Sequence, residues 1–208
     1  MHQRIVGLSW QHPRYGYRRI RALLVGEGWL VRRKQVQRVR RKEGLKVPSK
    51  PKRESRRGDS TGLPTKATYP NQVWTWDFIF DRTDKGSTLK MLTMLDEYTR
   101  QCWVIRVERQ IQSRQVFETL LQVMAIYGVP EHIRSDNGSE FIAHAIQQGL
   151  KDHQIKTLYI EPGSPWQNGF IERFHSRFWD ECLNREWLLN LREARIVIED
   201  WRLHYNKE

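Results

Sequence analysis

Acidic residues are nearly missing from the first quarter of this 208-residue chain. Residues 1–58 hold 18 lysines and arginines against three acids, Glu27, Glu43 and Glu54, a net charge of +15. The other 150 residues carry a net charge of −3, so the formal +12 of the whole chain is a property of its beginning. Such asymmetry points to a nucleic-acid-binding arm joined to a different kind of domain. Cysteine is scarce as well: Cys102 and Cys182 show no CxxC spacing, and the seven histidines have no paired cysteines. That excludes a disulfide frame and a zinc finger, and fits a reducing, cytoplasmic compartment. No apolar run approaches the ~18 residues of a membrane span. The opening residues lack the apolar core of a signal peptide, which argues against export. Hydrophobic content of 38% and charged content of 29% are those of a soluble protein, long enough for a medium domain and a small one.

The basic stretch has its own pattern. Tyr17, Ile20, Leu23 and Leu24 are spaced for one helix face, ended by Gly26-Glu27-Gly28. Arg32 to Lys42 reads as a second helix, with Val36 and Val39 inward and the cations, Arg40 among them, elsewhere; Gly44 stops it. Two short helices around a glycine-containing turn suggest a helix-turn-helix over residues 1–47. Gln35, Gln37 and Arg38 are side chains suited to base edges, and Arg18, Arg19, Arg32, Arg33, Lys34 and Arg41 to phosphates. A helical pair binding phosphates without sequence preference is the other reading. Residues 48–69 contain no periodic apolar set and read as a basic, flexible linker.

From Asn71 the composition changes. Val73 to Phe80 is a strand of aromatic and β-branched residues interrupted by one acid, Asp77. Alternation puts Val73, Thr75, Asp77 and Ile79 on one face and Trp74, Trp76, Phe78 and Phe80 on the other. A carboxylate in a strand covered on both faces costs several kcal/mol unless a cation, metal or proton answers it. Leu89–Leu95 and Cys102–Val107 read as further strands of a meander. Ser113 caps a helix to Tyr127. His132–Ser135 is a short strand ending at Asp136. Phe141–His153 is a helix, Lys156–Ile160 a strand, and Arg192 to about Tyr205 the last helix. Between them, Ser164 to Gly169 is a run of turn formers, and Ile171, Phe174, Phe178 and Cys182 form one helical stripe with Asn168 as N-cap and Glu172 in the first turn. The order β-β-β-α-β-α-β-loop-α-α describes an α/β fold, a mixed sheet with flanking helices over residues 70–208.

Three acids thus have unusual positions: Asp77 in mid-strand, Asp136 at a strand end, Glu172 at a helix start. Paired Mg²⁺ ions want such oxygen ligands and clamp an in-line displacement at phosphorus. Each acid also has a plain structural reading: a neutralised strand acid, a turn former, a helix-dipole partner. Asp96 and Glu140 are rival ligands, read here as structural.

The motifs Trp76-Asp77-Phe78, Ser135-Asp-Asn-Gly-Ser-Glu-Phe141 and Ser164-Pro-Trp-Gln-Asn-Gly-Phe-Ile-Glu172, with 35 residues between the second and third acids, resemble the signatures of DDE transposases and retroviral integrases. The likeness extends through His12–Ile20, Val36–Leu45, Leu92–Arg100 and Asp180–Asn184, and is nearest to the second-frame (OrfB-type) transposases of bacterial insertion sequences. It implies an RNase H-like catalytic domain behind the helix-turn-helix. It also implies an Asp77–Asp136–Glu172 triad holding two Mg²⁺ ions, for which Mn²⁺ substitutes, and 3′-OH transesterification on DNA. Trp166, Gln167 and Asn168 would then touch the DNA end or only shape the loop, and Arg173 and Arg177 would bind phosphate or be solvated. Implied partners are the element's terminal repeats and target DNA, further copies of this chain on that DNA, and the product of an upstream overlapping frame. Two departures stand out. Trp179 occupies the position, seven residues after the glutamate, where the family usually has Lys or Arg. The chain also stops at Glu208, before the Arg-Pro-His segment that usually follows. The sequence therefore fits a strand-transfer enzyme, a hydrolytic RNase H-like nuclease, or a truncated DNA-binding remnant that regulates its parent element.

Overall fold

A computed structural model describes residues 1–45, 47, 66–135, 141, 143–160 and 168–207. The chain divides into two compact units, Met1–Ser60 and Thr61–Glu208.

Among its described residues the first unit has three helices where the sequence suggests two: α1 (His2–Gln11), α2 (Tyr17–Gly26) and α3 (Arg33–Lys42). Ile5 and Leu8 of α1 close over Tyr15, Ile20, Leu24, Val31 and Val36 to form a small core. The stripe of α1 is only those two residues, and no side chain caps its start, so periodicity and capping signals are both weak. The extra helix also changes the role of Arg40. Its guanidinium is buried rather than displayed, donating to Ser9 Oγ of α1 at 2.8 Å and to the Leu45 carbonyl at 2.9 Å. Burial lowers its pKa.

The second unit is built on a five-stranded sheet: β1 (Val73–Arg82), β2 (Thr88–Asp96), β3 (Cys102–Glu108), β4 (His132–Ser135) and β5 (Lys156–Tyr159), in the spatial order β3-β2-β1-β4-β5. The first three strands are an antiparallel meander, and β4 and β5 run parallel to β1. Helices α4 (Ser113–Tyr127), α5 (His144–Asp152), α6 (Gly169–Phe178) and α7 (Leu191–Lys207) flank it, with a π-helical turn, Trp179–Leu183, continuing α6.

The alternation of β1 divides two cores. Trp74, Trp76 and Phe78 pack with Leu92, Met94, Ile133 and the apolar stripes of α4 and α5. Ile79 packs with Met91, Leu95 and the α6 stripe Ile171, Phe174, Phe178, Cys182, under α7. Asp77 shares its parity with Ile79 and so faces α6. Each large side chain fully buried this way stabilises the fold by about 1.5–3 kcal/mol.

Three local details differ from the sequence reading. Gln112, not Ser113, caps α4, in a reciprocal box with Gln115. Helix α5 begins at His144 rather than Phe141, because Phe141 is drawn into the core. Asn168 stands at the N-cap of α6 but makes no side-chain cap bond; being buried, it instead accepts the hydroxyl of Thr75 in β1 at 2.9 Å.

Candidate active site

Strand β1 fixes Asp77. Its register partner across the β1–β2 pair is Thr93, so both side chains stand on the α6 face. Thr93 Oγ1 donates to the Asp77 carbonyl at 3.0 Å and lies 2.8 Å from His175 Nε2. A hydroxyl has one proton. With that proton on the Asp77 carbonyl, Thr93 accepts from Nε2–H, and the second ring nitrogen of a neutral His175 carries its lone pair. That nitrogen, Nδ1, stands 3.9 Å from Asp77 Oδ2. Burial lowers the His175 pKa to about 4, so the ring is neutral at pH 7 and brings no positive charge to the carboxylate. Asp77 Oδ1 accepts the Phe78 N–H at 2.7 Å, and 27% of the Asp77 side chain is exposed to solvent.

Helix α6 brings Glu172 to this strand. Asn168, bonded to Thr75, and His175, beside Asp77 and Thr93, bracket Glu172 at four and three residues, along one margin of the helix. Glu172 is exposed and lies in the first turn, where the helix dipole favours an anion. Asp136 lies outside the described residues, as do Glu140, Trp166 and Gln167. The chain on either side of the Asp136 segment is fixed next to β1. Arg134 pairs in register with Thr75. Phe141, 2% exposed, stacks on Trp76 at 5.0 Å and on Phe78 at 4.8 Å between ring centroids. The two residues flanking Asp77 in the first motif thus clamp the phenylalanine that ends the second.

Among the described residues no group of three or more His, Cys, Asp or Glu side chains is arranged to hold a metal. The Asp77 side fits a hard cation all the same. The Asp77 carboxylate and the neutral His175 ring, 3.9 Å apart, are the oxygen and nitrogen groups that a hard cation and its bound water take.

Two residues that sequence reasoning missed underlie this region. Arg134 and Glu97, 4% and 1% exposed, form a buried ion pair at 2.7 Å that ties β4 to the turn after β2. Burial raises the Glu97 pKa and Arg134 opposes the rise. An arginine within a short interior strand, two residues before Asp136, was the available signal. Asp96, read as structural, is fully buried and organises the same turn, accepting the N–H groups of Asn71, Tyr98 and Thr99 at 2.6–2.8 Å.

The cations fall into groups. On α3, Lys34, Gln37, Arg38 and Arg41 share one exposed face opposite Val36 and Arg40, while Gln35 is half-buried. Arg18, Arg19, Arg32 and Arg33 are exposed as well. Arg19 lies over the Tyr15 ring at 4.9 Å, and Arg18 Nε donates to Tyr17 Oη at 3.4 Å. In the second unit Arg173 is exposed. Arg177 is half-buried, its guanidinium bonded to Glu181 at 2.8–2.9 Å and stacked over Tyr205. Trp179 is the first residue of the π-helical turn and packs against the α6–α7 core.

The second unit is a mixed sheet of this order with helices on both faces and acids on β1 and α6, and the first is a basic three-helix unit. Models of the integrase core domain match residues 67–165 and 153–208, and a model of an HTH-like domain matches residues 1–53. An insertion element IS407 protein of 31.7 kDa from Burkholderia multivorans is 35% identical over 99% of this chain and 74% of its own length. An insertion element IS476 protein of 39.2 kDa from Xanthomonas euvesicatoria is 39% identical over 98% of this chain, which spans 59% of that relative's length. The putative transposase InsK of insertion sequence IS150 from Escherichia coli is 28% identical over 93% of this chain and 71% of its own length. Among solved structures, the HTLV-2 integrase catalytic core domain in complex with magnesium is similar with a TM-score of 0.47, at 22% identity over 56% of this chain and 71% of that one. The chain belongs to the insertion-sequence transposases of the integrase-core superfamily.

Proposed function

We propose that this chain cuts and joins DNA at the ends of an insertion sequence, with Asp77, Asp136 and Glu172 as the metal-binding triad. The observation that carries the reading is the seating of α6 on β1: His175, three residues from Glu172, reaches Asp77, and Asn168, four residues before it, is bonded to Thr75. Two Mg²⁺ ions, or Mn²⁺ in their place, would be held by the three carboxylates, and when bound they supply charge stabilisation to the attacking and leaving oxygens. The residues around them do the rest. The Phe78 N–H holds the Asp77 carboxylate through Oδ1, Thr93 holds its backbone carbonyl, and neutral His175 stands beside it without neutralising it. The Trp76–Phe141–Phe78 stack keeps the chain after Asp136 next to β1.

In the first reaction a water oxygen attacks the phosphorus at the element end. The bond from phosphorus to the 3′-oxygen breaks, and that oxygen leaves as a 3′-hydroxyl. In the second, this hydroxyl attacks a target phosphodiester; one phosphorus–oxygen bond forms as another breaks, and no covalent protein intermediate is needed. The exposed α3 face would locate the terminal repeat, with Gln37 and Arg38 towards base edges, half-buried Gln35 at their margin, and Arg18, Arg19, Arg32, Arg33, Lys34 and Arg41 towards phosphates. Trp166, Gln167, Asn168, Arg173 and Arg177 would border the DNA end. Asn168 would act by shaping the loop through Thr75, and Arg177 by supporting the helix through Glu181. Residues 1–47 would be the recognition domain, 48–69 the linker and 70–208 the catalytic domain. The chain would work in the cytoplasm on DNA, as several copies, with the product of an upstream overlapping frame as a further partner. Expected relatives in activity are the polynucleotidyl transferases of this superfamily.

One specific observation favours a non-catalytic remnant: Trp179 packs into the core where the family usually has a basic side chain. The test separates the readings. An oligonucleotide carrying the element end is incubated with the chain and Mg²⁺ or Mn²⁺. Cleaved and joined products from wild type, lost by at least 100-fold in Asp77→Asn, support transposition. Cleavage without joining supports the nuclease. Binding without cleavage supports the remnant.

A further inference from the structure

Helix α6 has a second margin, turned away from Glu172. Phe170, Arg173 and Arg177 recur there at three and four residues. This margin faces the turn between β2 and β3 and the Tyr205 ring of α7. The Arg100 guanidinium lies over the Phe170 ring at 3.5 Å, and Tyr205 Oη donates to the Arg100 carbonyl at 3.1 Å. Arg177 closes the row over Tyr205 at 4.7 Å.

The charges along this margin are of both signs. Arg177 is answered by Glu181, and Glu97 is answered by Arg134. Arg173 is exposed and makes no hydrogen bond or ion pair among the described residues; burial lowers the Arg100 pKa, Glu97 opposes the fall and Arg173 adds to it. Arg100, over the Phe170 ring, and Arg173, three residues on along the same margin, thus present two guanidiniums on this side of α6.

The backbone under Arg100 is unusual too. Its φ of +68° lies in the left-handed region, which for a non-glycine residue costs about 1 kcal/mol or more. The turn over-determines it: Arg100 N–H donates to the Asp96 carbonyl at 3.0 Å, and the buried Asp96 carboxylate accepts the N–H groups of Tyr98 and Thr99. The strained residue is the one that sets a guanidinium on an aromatic platform, with its orientation fixed in advance. Guanidiniums so held suit the planar oxygens of a phosphodiester.

We propose that Arg100 and Arg173 form a DNA-backbone phosphate site on the outer margin of α6, with Phe170 as its platform. The ligand is a phosphodiester of a strand crossing α6, about one helix width, roughly 10 Å, from Glu172. This deepens the reading of the chain as a DNA-processing enzyme and rests on it, but the contact needs no metal.

The test is binding without divalent metal. The full chain is titrated into a fluorescein-labelled 40-base-pair duplex of random sequence, and anisotropy is followed across a series of KCl concentrations. Arg100→Asn removes the charge with a residue that accepts a left-handed backbone. It is expected to weaken binding by roughly tenfold at 0.1 M salt and to reduce the slope of log affinity against log salt by about 0.9; Arg173→Gln does the same. Arg100→Lys keeps the slope and loses only part of the affinity. Arg192→Gln, an exposed α7 cation, changes neither. A wild-type slope in Arg100→Asn overturns the proposal, and so does an equal loss in Arg192→Gln. Thermal melting reports whether each variant is folded, and a loss of slope is scored only in a variant that melts cooperatively; should Arg100→Asn not fold, Arg173→Gln decides. Metal-dependent cleavage of the element end is scored separately on wild type. A chain that shows the slope change but does not cut keeps this site and loses the enzymatic reading; one that cuts with an unchanged slope does the reverse.

Discussion

His175 is a residue whose protonation the fold sets against its ordinary chemistry. Burial holds its pKa near 4, against about 6.5 in an unfolded chain. Between those values the unfolded state binds a proton that the native state refuses, so stability rises with pH across the window. Above pH 6.5 the histidine carries no penalty. As pH falls towards 4 the penalty grows to at most about 3 kcal/mol. The groups facing the ring are the Thr93 hydroxyl and the Asp77 carboxylate. Urea unfolding of wild type and His175→Gln at pH 4, 5, 6 and 7 checks this. The wild type should lose more stability on acidification than the variant, and parallel curves would contradict the burial account. The two cysteines illustrate the same cause with the opposite charge: burial pushes the Cys182 thiol up to about 12 and raises that of Cys102, so neither is a ready nucleophile in the native protein.

At the scale of elements, the meander, the α6 stripe and the face of Asp77 were legible before any coordinates, because each is a local periodicity with large apolar residues behind it. What stayed hidden has a common physical form. The Glu97–Arg134 pair joins residues 37 positions apart. The Arg40–Ser9 bond joins residues 31 apart, and the Thr75–Asn168 bond 93 apart. Polar partners leave no period, so a buried cation looks in the sequence like a surface one. The same holds within the candidate site, where the three acids were singled out from spacing but Thr93, His175 and Arg134 were not. The Glu97–Arg134 pair makes a clear prediction for the elements it joins. Glu97→Met or Arg134→Met alone should destabilise the second unit by about 3–5 kcal/mol, since each strands a buried charge. The double variant should recover much of that loss, because an apolar pair of similar volume has no charge to desolvate. Denaturant titration of the three variants measures it; additive losses would mean the pair is not coupled.

At the scale of the molecule, the chain has two units, each with its own core. Ile5, Ile20, Leu24 and Val36 serve the first, and the sheet's two faces serve the second. Residues 1–60 and 61–208 should therefore each fold when produced alone, seen as cooperative thermal unfolding of each piece by circular dichroism. A second unit that remains molten without the first would refute that independence. The charge division supports separate tasks as well, since the first unit holds the chain's whole positive excess and the second carries most of its acids.

The alternating aromatics of β1 have one more consequence. Trp74, Trp76 and Phe78 belong to one side of the sheet and Asp77 to the other, so the strand cannot slide by a single position without driving indoles into the α6 side and the acid into the α4–α5 side. The bulky rings act as a ratchet for the small acid between them. Loss or gain of one codon between Val73 and Asp77 should therefore be far more damaging than most substitutions in the same stretch, and natural length variation should gather outside it.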